Sequence, residues 1–241
     1  MRRTGIGITV ILAGLLLCVE SRGEDKGGST AKEGGKGKKA AAADAGTLTA
    51  KELVKKLQAF YDGTIDFQAD FEQVYKHKLY NEEKKSSGKV YIQRPGKMRW
   101  EYKKPEKKVF VADGTFIWMY EEAIHQVTKQ ALASSDLPVA ITFLVGEGKL
   151  EDEFTTKLVP HEKFNAKGKL VLELTPKKTN AQYKKLLFIV DKKTVQVERT
   201  IIIDASGNTN TMRFKNPQIN KGIPAKKFEF KPPKGATVVE P

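Results

Sequence analysis

Between residues 88 and 120 the large apolar side chains fall on every second position: Met98, Trp100 and Tyr102 in one run, Phe116, Trp118 and Tyr120 in the next. A period of two belongs to β-strands, whose successive side chains point to opposite faces, and it excludes a helix over this stretch. Turn signals at Ser86-Ser87-Gly88, Arg94-Pro95-Gly96, Lys104-Pro105 and Asp113-Gly114 separate runs too closely spaced for crossover connections. Consecutive strands must therefore pair as antiparallel hairpins. A sheet of this kind has an apolar face that something has to cover.

The alternation begins at Phe67, Ala69 and Phe71, continues through Val90 and Ile92, and resumes at residues 154–159, 169–175, 184–191, 195–204 and 209–215. The count comes to about eleven strands, with no βαβ spacing. Two segments depart from it. Thr49-Ala-Lys-Glu52 fits a capping box and leads into Leu53, Val54, Leu57, Phe60 and Tyr61 at helical spacing, predicting one amphipathic helix. Within residues 131–146, Ser135 or Asp136 can cap a second helix, Pro138 suits its first turn and Gly146 its end. Leu137, Val139, Ile141, Phe143, Leu144 and Val145 make that helix apolar nearly all round, so it must be buried. Two apolar helices and one strongly curved sheet predict a mainly β fold: an incomplete, half-closed antiparallel barrel whose helices form a lid or plug over an apolar cavity.

The ends of the chain carry different information. Arg2 and Arg3 precede an apolar run from Gly5 to Val19 that is short for a membrane span, the pattern of a signal peptide ending at Ser21. Cys18, the one cysteine, either leaves with that peptide or is a lipidation site; the bulky Leu17 before it suits the first reading better. Residues 22–46 contain Lys, Gly, Ala and Ser without any aromatic or branched aliphatic residue, and are expected to be a flexible basic tether. The folded domain is then 47–241.

The formal net charge is +14. For an exported chain a basic surface fits anionic headgroups or acidic protein partners better than nucleic acid, and the lysines are spread rather than clustered. His77, His125 and His161 lack metal-ligand spacing, no nucleophile elbow, P-loop or dinucleotide fingerprint occurs, and no carboxylate sits in an apolar setting. Neither an enzyme nor a cofactor is expected.

The sequence Phe67-Gln-Ala-Asp-Phe71-Glu-Gln, Gly88 opening a strand that ends at Arg94-Pro95, Met98 and Trp100 beyond it, Asp113-Gly114 before Trp118-x-Tyr120, and the closing Phe228-Glu-Phe230-Lys-Pro232-Pro233-Lys-Gly235 together resemble the periplasmic outer-membrane lipoprotein carrier (LolA) family. The resemblance implies an unclosed barrel holding the acyl chains of a lipoprotein. The partners it implies are acylated lipoproteins, an inner-membrane export complex that supplies them and an outer-membrane acceptor, with the carrier a monomer. Met98, Trp100, Phe116, Trp118, Ile141, Phe143 and Leu144 are the expected cavity and lid residues, and Arg94 the expected lid latch. Alternatives are a membrane-anchored lipoprotein receptor of the same fold and a periplasmic regulator binding a partner's peptide. The tether and Met98, where relatives often carry Phe, depart from the family pattern.

Overall fold

The computed structural model describes residues 48–134 and 148–240. The signal peptide, the tether and the second helix with Ile141, Phe143 and Leu144 lie outside the described residues. Among the described residues twelve strands form one sheet: β1 (Asp66–Lys76), β2 (Glu83–Gln93), β3 (Lys97–Lys104), β4 (Lys108–Asp113), β5 (Phe116–Glu121), β6 (Gln126–Ala131), β7 (Phe154–Val159), β8 (Lys169–Pro176), β9 (Lys185–Asp191), β10 (Val197–Ile203), β11 (Thr209–Ile219) and β12 (Thr237–Val239). Their order is β12-β6-β5-β4-β3-β2-β1-β11-β10-β9-β8-β7, so two antiparallel meanders meet where β1 pairs with β11. The sheet is open, with β12 and β7 at its edges, as expected of an incomplete barrel. Of these strands β12 alone pairs in parallel, lying along β6 with Val238 opposite Val127.

Helix α1 (Ala50–Asp62) forms where the capping box predicts it. Thr49 Oγ1 accepts from the Glu52 backbone N–H at 3.2 Å while the Glu52 carboxylate accepts from the Thr49 N–H at 2.8 Å. Leu53, Val54, Leu57 and Tyr61 are buried against Leu172, Leu174, Leu186, Phe188, Val190 and Val197 of β8, β9 and β10. Burying four such side chains is worth about 6–12 kcal/mol gross, so α1 is held by tertiary packing more than by helix propensity. The short helix α2 (Leu150–Glu153) adds Leu150 to the same cluster.

Directly paired residues share a face of a sheet. Following the register from Val197 through Thr200–Met212, Phe214–Phe71, Ala69–Val90, Val90–Trp100 and Trp100–Phe110 carries the face bearing α1 across to β4. We call this the inner face. On it Phe71, Val90, Ile92, Met98, Trp100, Tyr102, Phe110, Ile117 and Met119 form a second buried cluster. Gly88 belongs to this design: its partner across the ladder is Phe71, and a Cβ there would meet Phe71 Cε1 at 2.9 Å and run into the Glu101 carbonyl.

Candidate functional site

Strand β11 contains Asn216 and Pro217, residues that read in the sequence as a strand end. The chain instead continues to Ile219 through a bulge: Asn216 adopts the left-handed region at φ 51°, and the register with β1 jumps from Gln68–Gln218 to Asp70–Lys215. Asn tolerates that conformation, and Pro217 cannot donate to a neighbouring ladder. On its other side β11 pairs with β10 only as far as Arg213 opposite Arg199. Past that pair the two strands part, and a cavity of about 430 Å³ occupies the split.

The cavity is a slot. Phe60 and Tyr61 of α1, Phe67 of β1, Val197 of β10, and Phe214 and Ile219 of β11 line it, with Arg199, Arg213 and the 165–169 turn before β8 at the other side. Phe67 and Phe214 meet edge to face at 5.8 Å and Phe214 lies 6.3 Å from Trp100, so the slot abuts the buried inner cluster. Trp100 Nε1 is a buried donor with no acceptor among the described residues. Burial pushes the Tyr61 phenol well above its ordinary range, outweighing a backbone hydrogen bond with Val197 and the nearby charge of Arg94, so it stays protonated.

Arg94 holds the far end of α1. Its Nη1 donates to the Tyr61 carbonyl and lies 3.9 Å from Asp62 Oδ1, while its backbone N–H donates to the Ile65 carbonyl at 2.9 Å. A cation here meets the negative end of the helix dipole. Burial lowers the Arg94 pKa, and Asp62 and Tyr61 oppose the shift. The helix that this geometry ties down is α1; the expected partner at residues 137–145 lies outside the described residues.

The remaining expected site residues separate into two groups. Met98 and Trp100 are 1% and 3% exposed within the inner cluster. Phe116 and Trp118 are on the opposite face, because Ile117 and Met119 take the inward positions opposite Ala112 and Phe110. They cannot line one cavity with Met98 and Trp100. Their surroundings are a separate outer packing: Lys129 Nζ sits 4.3 Å from the Phe116 ring, and Phe230 of the C-terminal segment lies 5.6 Å from Trp118. The Trp118 indole donates to Asp113 Oδ2 at 2.8 Å, and Asp113 Oδ1 accepts from the Thr115 and Phe116 backbone at 2.8 Å each. Burial raises the Asp113 pKa, but these bonds outweigh it and the net shift is downward. The slot residues Phe60, Phe67, Phe214 and Ile219 were not singled out from sequence as site residues; the signal for them was the Met212, Phe214, Ile219 alternation resuming out of step beyond Asn216-Pro217.

The family model described as outer membrane lipoprotein carrier protein LolA matches residues 63–231, and the chain belongs to that family. It is 33% identical over 190 residues to the outer-membrane lipoprotein carrier protein of Chromobacterium violaceum, covering 77% of this chain and 86% of the relative. It is 37% identical over 157 residues to the protein of that name in Cupriavidus pinatubonensis, covering 64% of this chain and 70% of the relative. Among solved structures, an uncharacterized conserved protein from Thermus thermophilus superposes with a TM-score of 0.50 at 13% identity, over 80% of this chain and 99% of that one. That likeness concerns the fold alone.

Proposed function

We propose that this protein is a periplasmic carrier of lipoproteins, taking up acylated cargo from an inner-membrane export complex and releasing it to an outer-membrane acceptor. The observation that carries the reading is the slot between β10 and β11, which leads from the surface to an aromatic inner face in a chain of the lipoprotein carrier family. Its task is binding and release, with no bond made or broken. Met98 and Trp100 back the acyl site from the inner cluster, and Arg94 acts as the latch by fixing the end of α1 whose Phe60 and Tyr61 wall the slot.

The size of the slot argues for reversible binding. If a methylene fills about the volume of a water, ~30 Å³, the cavity takes about fourteen, one acyl chain rather than three. At roughly 0.8 kcal/mol per buried methylene this is about 11 kcal/mol gross, short of the limit near 20 kcal/mol where release would become too slow. Among the described residues no helix is long and apolar enough to cross a membrane.

The test is transfer of a fluorescent triacylated lipopeptide from detergent to the purified protein and on to acceptor vesicles. Wild type should take up the acylated peptide and ignore its unacylated form, and Phe214→Asp should lose uptake. Equal binding of acylated and unacylated peptide would favour the peptide-binding regulator instead.

A further inference from the structure

At the outer side of the slot, Arg199 of β10 and Arg213 of β11 face each other directly across the ladder, the last pair before the strands part. Like charges in that position repel. The neighbouring carboxylates make their ion pairs elsewhere: Asp191 and Glu198 hold Lys169 at 2.6 and 2.7 Å, and Glu72, although opposite Arg213 on β1, holds Lys215 at 2.6 Å. Arg199 Nη2 donates to the Phe164 carbonyl, which fixes that guanidinium. The Arg213 side chain is exposed and makes no hydrogen bond or ion pair among the described residues. Burial and the charge of Arg213 both lower the Arg199 pKa against the opposing pull of Glu198, so the repulsion is felt at the half-buried member of the pair.

The slot is of mixed character: Arg199 and Arg213, with Lys167, Lys169 and Glu198 beside them, line its mouth, and Phe67, Phe214 and Ile219 line it within. Guanidinium is the group that pairs bidentately with phosphate or carboxylate, and an anion between the two arginines would turn their repulsion into attraction. We propose that the slot binds a single-chain anionic lipid, its acyl chain along Phe67, Phe214 and Ile219 and its anionic head bridging Arg199 and Arg213. This adds a second ligand class to the acyl site and rests on the reading of the slot as one. The head is either the phosphate of a lysophospholipid or the carboxylate of a free fatty acid.

The experiment is calorimetric titration of the full mature chain, below micelle concentrations, with lysophosphatidylglycerol, palmitate and neutral monopalmitoylglycerol. At least one anionic lipid should bind about tenfold tighter than the neutral one at low ionic strength, the preferred one identifying the head, and the ratio should fall as salt is raised. Arg213→Gln should bring the ratio close to one. Lys85→Gln, which removes an equal charge from β2 outside the slot, should leave it in place. Equal binding of neutral and anionic lipids by wild type would overturn the arginine site while the acyl reading stands; equal loss in the Lys85 and Arg213 variants would overturn it as a general charge effect. Failure of all three lipids to bind would overturn both readings.

Discussion

Replacing Arg94 by Leu keeps much of the side chain's apolar stem and removes its charge and donors. The hydrogen bond to the Tyr61 carbonyl is charge-assisted, worth about 1.5–3 kcal/mol. The helix C-terminus adds about 0.3–1 kcal/mol for a cation in its last turn. Asp62 is 59% exposed at 3.9 Å, which makes its ion pair worth close to nothing. The loss is then about 2–4 kcal/mol, less than the gross 6–12 kcal/mol that docks α1. The helix stays on the sheet and its last turn frays. Hydrogen exchange reads this directly: the amides of Gly63 and Thr64, which donate to Ala59 and Tyr61 carbonyls in that turn, should exchange about thirtyfold faster or more, at tenfold per 1.4 kcal/mol. Amides of β4 and β5 should not change, and dissociation of a bound acyl ligand should quicken because Phe60 and Tyr61 form one wall of the slot. Unaltered protection at Gly63 and Thr64 would show that Arg94 does not secure α1 and would end the latch argument.

Gly88→Ala should lower stability in urea denaturation by at least about 1–3 kcal/mol, because its Cβ has Glu101 backbone on one side and the Phe71 ring on the other. Met98→Glu should cost more than about 3 kcal/mol by thermal or chemical melting, since it leaves an unpaired carboxylate in a core cluster, whereas Met98→Leu stays under about 1.5 kcal/mol. Glu173 lies between Lys185 at 3.0 Å and Lys157 at 3.1 Å; burial raises its pKa, but the two lysines more than offset this and hold it below the ordinary value. Its contribution is therefore present above the unfolded pKa of about 4.3 and disappears as pH falls through the lower folded value. Melting temperature followed from pH 7 downward should show a shallower acid limb in Glu173→Gln than in wild type. Deleting residues 22–46, which carry a net +2 of the +14, should leave melting unchanged and slow association with anionic vesicles less than added salt does; loss of association at low salt would make the segment a docking element.

What the sequence disclosed and concealed follows the range of each interaction. The capping box of α1 and the turns at Arg94-Pro95-Gly96, Lys104-Pro105 and Asp113-Gly114 are local, and the elements stand where those signals put them; the turn expected at Ser86-Ser87-Gly88 does not form, because β2 runs through it in pairing with β1. Period two also separates Met98 and Trp100 from Phe116 and Trp118 by face. It does not tell which face is enclosed, because the residue covering Trp118 is Phe230, more than a hundred positions later. β12 escaped notice for the same reason: Thr237, Val238 and Val239 make a strand only because β6 offers an edge. The slot was hidden by a reasonable inference. Asn216-Pro217 looks like a terminator, and pairing with β10 has already stopped at Arg213, while pairing with β1 goes on past it.

The junction of the two meanders also sets the order in which the molecule can be assembled. β2 through β6 and β7 through β10 each pair with one another as near neighbours in the chain, but β1 lies beside β11, with Gln68 and Gln218 joined across 150 positions. A nascent chain emerging from its N-terminus has to keep the apolar side of β1 without that neighbour until the last fifth of the protein is available. Contacts of such sequence separation form slowly and leave sticky intermediates in the meantime. The surface left bare in that interval is the one that later abuts the slot. Before it can shelter a lipid, this protein needs shelter itself.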